Sequence, residues 1–141
     1  MFKAKRVVLD TDVLISASIS QKGAAYLLIN LYTDNEVIKY TSSEQIHEYE
    51  LVIQRCNCKR ITQYPEDFNK VEPLKQNIEK SASFTIDSKD IHIINLAVSA
   101  KAQFLITYNM KHYKIEELKR NQNIICMTPG IFLQYLRIIN N

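Results

Sequence analysis

Glycine is almost missing from this sequence. Of 141 residues only Gly23 and Gly130 are glycine, three are proline and none is tryptophan. Phosphate-cradling loops of the GxxxxGK[ST] and GxGxxG kinds need several closely spaced glycines, so neither can exist here, and no GxSxG nucleophile turn occurs. The same scarcity leaves no composition for long linkers or disordered stretches. No run approaches the roughly 18 apolar residues of a membrane span, so no membrane association is expected. The opening MFKAKRVVLDTD has a basic start but no separate apolar region and no small-residue cleavage site, and no secretion signal is expected from it. Cysteine is sparse and odd in number: Cys56, Cys58 and Cys126. That usage predicts free thiols in a reducing, cytoplasmic compartment. Cys56 and Cys58 near His47 make half a zinc site at most, because no second Cys/His pair stands at a usual spacing. The formal net charge of +3 is too mild to require a polyanionic partner, though it permits one.

What is present is core. With 46% hydrophobic residues the chain can bury one, and residues 1–141 are read as a single domain. Val7-Val8-Leu9 is a short apolar run fit for a fully buried strand. The VLISASIS segment after it is ambiguous between helix and strand. Apolar residues at Ala24, Leu27, Leu28, Leu31 and Tyr32 mark a helix over 24–34. EVIKYT (36–41) reads as a second strand. Ser42 then caps a helix to about Arg55, with Gln45 three residues on as its reciprocal partner. Pro65 suits the first turn of a further helix, which Pro73 should kink or split. Strands are expected at 83–86, 104–107 and 124–127, a helix over 88–102, and a last helix opened by Thr128-Pro129. This alternation predicts an α/β fold with a mainly parallel sheet covered on both faces.

In such sheets sites form beyond the carboxyl ends of the strands. Asp10 and Asp12 follow the first strand, Asp87 and Asp90 the 83–86 strand, and Asn109 lies two residues after FLIT. Glu44 and Glu48, four apart, share one helix face. Taken singly these residues have plain explanations. Asp87 is best read as a helix cap and Glu44 as a solvated side chain. Asp12 could cap a segment starting at Val13 or serve a site. Asp10 has no obvious helix to cap. Taken together, four segments aim oxygen atoms at one sheet edge. Clustered carboxylates repel one another unless a hard divalent cation lies between them, and such a cation suits phosphodiester hydrolysis. Of the three histidines, His92 reads as packing or capping, while His47 and His112 are weak candidates for substrate contact.

These residues match a known pattern. VVLDTDVLISA resembles the opening motif of PIN-domain nucleases, with Asp12 where Asn is usual. SSEQIHEYELVI resembles their second motif, with the glutamate role on Glu48. DSKDIHIINLAVSAKAQFLITYN resembles the third and fourth motifs, and IICMTPGIFLQYL the closing strand, Thr-Pro and helix. The resemblance implies a three-layer α/β/α sandwich and a Mg2+- or Mn2+-dependent site for cutting RNA. It places metal-binding roles on Asp10, Glu48 and Asp90, with Asn109 at the fourth acidic position and Asp12 and Thr107 in support. It also implies a toxin of a toxin–antitoxin pair, held by a protein antitoxin and often dimeric. Lys111, His112 and Lys114 could track an RNA backbone. Asn109 offers a metal only a neutral carbonyl oxygen, and Asp12 can return the missing charge. Two other readings stay open: a phosphatase of the haloacid dehalogenase kind with Asp10 as nucleophile, and a catalytically impaired PIN domain that binds RNA or protein.

Overall fold

The computed structural model describes residues 3–57, 59–60, 65 and 67–140. Strand β1 (Lys5–Leu9) is buried through Val7, Val8 and Leu9. Asp10 stops it and starts helix α1 (Thr11–Ile19), its carboxylate accepting from the Thr11 amide, so the ambiguous segment is helical. Helix α2 (Ala24–Leu31) and strand β2 (Val37–Thr41) follow. Ser42 caps helix α3 (Ser43–Cys56), which ends on Asn57 in the left-handed region at φ 52°. The chain continues through strand β3 (Asn69–Lys70), helix α4 (Ile78–Ala82), helix α5 (Ile91–Ser99) and strand β4 (Phe104–Ile106). Helix α6 (Ile115–Gln122), strand β5 (Ile125–Met127) and helix α7 (Pro129–Ile139) complete it, the last capped by Thr128 with proline at its start.

The strands form one sheet in the order β3-β2-β1-β4-β5, all pairs parallel. The chain runs outward from β1 to β3, then returns to the other side of β1 for β4 and β5. The direction of winding therefore reverses between β1 and β4, where open parallel sheets leave a crevice at their carboxyl ends. Alternate residues feed two cores. Val7, Leu9, Phe104 and Ile106 face Leu14, Leu28, Phe132 and Leu136 of α1, α2 and α7. Val8 and Leu105 face Ile93, Ile94, Leu96 and Leu118 of α5 and α6. This is the expected three-layer α/β/α sandwich with a parallel sheet.

Gln45 does more than its expected capping role. Ser42 Oγ does accept from the Gln45 amide, at 3.1 Å. The Gln45 side chain turns inward instead of back to the helix start. It donates to the Leu9 carbonyl at 2.6 Å and accepts from the Thr41 hydroxyl at 2.7 Å. It thus ties α3 to the ends of β1 and β2. A buried bond of 2.6 Å between Tyr49 Oη and Ser18 Oγ ties α3 to α1.

Several expectations fail. Residues 83–86 form no strand of the sheet. Thr85 makes a single antiparallel bridge with Tyr113, the Ile86 amide donating to His112 O and the Lys114 amide to Phe84 O. The place beside β1 belongs to β4, and Phe84 is drawn into the second core. No helix starts at Pro65 among the described residues: the Phe68 amide donates to Pro65 O in a turn, and β3 pairs with β2. Helix α5 is preceded by a separate 3-10 turn, Ser88–Asp90, and ends at Ser99. Helix α6 lies in a stretch whose sequence signalled no element. Cys126 is a free, buried thiol, but Cys56 is disulfide-bonded, against the expectation of free thiols. Cys58 lies outside the described residues.

Replacing Gln45 with Leu keeps the volume but strands the Leu9 carbonyl and the Thr41 hydroxyl. We expect a loss of about 2–4 kcal/mol in denaturant unfolding, with an unchanged m-value. A loss below about 1 kcal/mol would show that the tie is unimportant.

Candidate metal centre

Asp10 sits at the crevice between β1 and β4. Its amide donates to Ile106 O at 2.8 Å, so the backbone is still part of the sheet when the side chain turns into the site. The carboxylate is 6% exposed as a residue and receives three donors. The Thr11 amide reaches Oδ1 at 2.8 Å, while Oδ2 accepts from Thr107 Oγ1 at 2.9 Å and Tyr113 Oη at 2.6 Å. Burial nevertheless raises its pKa, against the pull of the Tyr113, Thr107 and Thr11 bonds.

Glu48 comes from the second turn of α3, held there by the Gln45 and Tyr49 ties. The Thr11 hydroxyl donates to its Oε1, and His92 Nε2 lies 3.2 Å from its Oε2. Burial alone would raise the Glu48 pKa, but the His92 and Thr11 bonds outweigh it and hold the group below its usual value. His92 shows the converse: burial pulls its pKa down, and the Glu48 bond lifts it above the ordinary histidine value. Asp90 is delivered by the 3-10 turn before α5, with Oδ2 at 3.0 Å from His112 Nδ1. Burial first, and then the Asp10 charge, raise its pKa.

Asp12, in the first turn of α1, accepts from the Tyr108 amide at 3.2 Å and Asn109 Nδ2 at 3.0 Å. Its other oxygen, Oδ1, is buried with no partner. Burial, then the neighbouring Asp10, push its pKa up to about 7. Asn109 is exposed and is oriented by Asp12 and by a 2.9 Å bond from its amide to Thr107 Oγ1.

Asp10, Asp12, Glu48, Asp87, Asp90 and Asn109 line one cleft of about 250 Å3, together with His112 and Lys89. The structure therefore brings together every acid proposed from the sequence, except that Glu44 is exposed and lines a neighbouring cavity with His47. Lys111 and Lys114 are exposed beside His112 and do not line the cleft. Three contributors carried no readable signal. Thr11 and Tyr113 anchor the carboxylates, yet their roles depend on contacts across 37 and 103 residues. Lys89 stands between two acids in DSKD, the one local clue to its place.

The donors suit a hard divalent cation: several carboxylates around one small cleft, three of them with pKa values raised first by burial and then by neighbouring charge, and an orphaned buried oxygen on Asp12. Residues 6–111 match the PIN domain family. The chain belongs to that family. The match runs across Asp10, Glu48, Asp90 and Asn109 and takes in the cleft of this PIN domain up to His112, which lies just beyond it with α6, β5 and α7. No functionally curated protein matches the sequence. Among solved structures, the PIN domain is similar to the crystal structure of VapBC2 from Rickettsia felis bound to a DNA fragment from their promoter. That likeness has a TM-score of 0.51 at 16% identity, over 87% of this chain and 98% of that chain. At that identity it speaks to the fold.

The raised Asp12 pKa has a sign that can be checked without metal. The folded protein holds this proton more tightly than the unfolded chain does, so its contribution is intact below pH 4 and is lost as pH rises from about 4 to 7. In EDTA, Asp12→Asn should therefore raise the melting temperature at pH 8 and match the wild type near pH 4. Equal melting temperatures at both pH values would refute the burial argument.

Proposed function

We propose that this PIN domain is a metal-dependent endoribonuclease that cuts phosphodiester bonds of RNA. The observation that carries the reading is the meeting of Asp10, Glu48 and Asp90, from three distant segments, in one cleft. These three would hold a Mg2+ or Mn2+ ion. When bound, that ion supplies an acidified water and neutralises charge on the phosphoryl group.

The protein's own groups prepare the cleft. Thr107 and Tyr113 occupy Asp10 Oδ2, leaving Oδ1, with its single donor, as the oxygen with a lone pair to offer. Thr11 and His92 each engage one Glu48 oxygen, which orients the carboxylate and favours its ionised form. Asp12 accepts from Asn109 Nδ2 and so fixes the side chain at the fourth acidic position on the cleft wall. Lys89 on the cleft wall, with Lys111 and Lys114 beside the cleft, offers positive charge to an RNA backbone. Asp10 as a phosphatase nucleophile finds less support, since its oxygens already accept three hydrogen bonds in a buried position.

The VapBC2 likeness supports a further step, that this chain is the toxin of a toxin–antitoxin pair with a protein antitoxin as partner; a homodimeric assembly and a cytoplasmic place of action are proposed from the family resemblance alone. No helix among the described residues is long and apolar enough to cross a membrane.

Asp10→Asn, Glu48→Gln and Asp90→Asn should each lower Mg2+-dependent cleavage of a fluorescent RNA by at least ~100-fold. Their circular dichroism should stay that of the wild type. EDTA should abolish cleavage and Mn2+ restore it. Undiminished cleavage by Asp10→Asn would overturn the assignment, and binding of RNA without any cutting by the wild type would favour the impaired-domain reading.

A further inference from the structure

We propose that His112 is a ligand of the metal, so that Asp87, Asp90 and His112 give the centre a mixed carboxylate–imidazole set that favours Mn2+ over Mg2+. The inference rests on the metal-dependent reading above and adds to it a residue and a preference.

Geometry comes first. One ligand atom from each of Asp87, Asp90 and His112 lies within 4.8 Å of the other two. His112 Nδ1 and Asp90 Oδ2 are 3.0 Å apart. Adjacent ligands of an octahedron with bonds of roughly 2.1 Å stand about 3 Å apart. The contact that is a hydrogen bond without metal thus already has the spacing of two neighbouring ligands. Asp87 spends one oxygen on the Lys89 amide at 3.0 Å and keeps the other.

The ring is also placed by bonds that do not involve it. The His112 carbonyl accepts from the Ile86 amide at 3.0 Å and from Thr85 Oγ1 at 2.8 Å. These are the residues just before Asp87. The isolated bridge between Thr85 and Tyr113 therefore fastens the segment carrying Asp87 and Asp90 to the segment carrying His112. One short staple delivers all three groups to the same wall of the cleft.

The surrounding charge favours a neutral fourth donor. Asp10, Asp12, Glu48, Asp87 and Asp90 already crowd one cleft, so a further anionic ligand would add to their repulsion. Asn109, at the usual acidic position, commits its Nδ2 to Asp12 and has only a neutral Oδ1 to offer. A neutral imidazole supplies a donor without charge. Nitrogen ligands suit Mn2+ and later transition ions better than Mg2+, which takes oxygen and water.

Pulsed electron paramagnetic resonance of Mn2+ bound to the full chain tests this without RNA. We expect 14N modulation from a coordinated imidazole in the wild type, converted to the 15N pattern by 15N-histidine labelling and requiring no variant. The modulation should disappear in His112→Gln and persist in His47→Gln, whose side chain lies outside the cleft. Calorimetry should show Mn2+ affinity falling ~10–100-fold in His112→Gln, with a smaller loss for Mg2+. Bound Mn2+ without nitrogen modulation would overturn the inference while leaving the metal reading intact. So would modulation that survives His112→Gln or vanishes in His47→Gln. Failure to bind Mn2+ at all would overturn both.

Discussion

A carboxylate is held inside this protein at the end of its central strand, and most of the site can be understood as the means of holding it there. An ionised Asp10 without partners would cost several kcal/mol in a low-dielectric interior. Three donors offset part of that cost, and they come from three places: the start of α1, the end of β4 and the loop before α6. Even so, burial prevails and the group is harder to ionise than a free aspartate. The remaining deficit is what a cation would remove. Fold and site are therefore in mild opposition, as expected where a structure keeps like charges together for use.

The sheet order explains why this tension sits where it does. β1 lies in the middle, flanked by β2 and β4, and the winding reverses beside it. That reversal opens the crevice and lets helices from both halves reach it. α3 arrives from one side with Glu48, and the turn before α5 arrives from the other with Asp90. Gln45 fixes the first approach by satisfying backbone and hydroxyl groups at the ends of two strands at once. The Thr85–Tyr113 bridge fixes the second. The two histidines then face the two helix-borne acids one to one, His92 on Glu48 and His112 on Asp90.

Much of this was legible in the residues, and the limits were physical. Strands such as VVL and FLI are apolar on both faces, as buried parallel strands must be, and their ends marked the site. Caps at Ser42 and Thr128 were readable because they act within three residues. Residues 83–86 misled because a short apolar run has the same signature in a strand as in a loop pinned to the core by one phenylalanine. α6 escaped notice because most of IEELKRNQ is exposed and only Leu118 is buried, so it lacked an apolar stripe. Asp87 and Asp90 line the cleft although residues 83–86 before them form no strand of the sheet. Gln45 was read locally as a capping partner; its real bonds reach across 36 residues to Leu9, beyond what spacing can reveal. His92 and His112 looked isolated for the same reason.

The separation in chain position between the groups that meet at Asp10 has an effect on timing. Thr107 and Tyr113 bond to it across 97 and 103 residues. A chain emerging from the ribosome presents Asp10 early and must wait for most of its length before those partners arrive. Until then the acids are scattered along a flexible polymer and cannot concentrate an ion. Whatever the finished cleft does, it can begin only once Thr107 and Tyr113 have folded back onto Asp10.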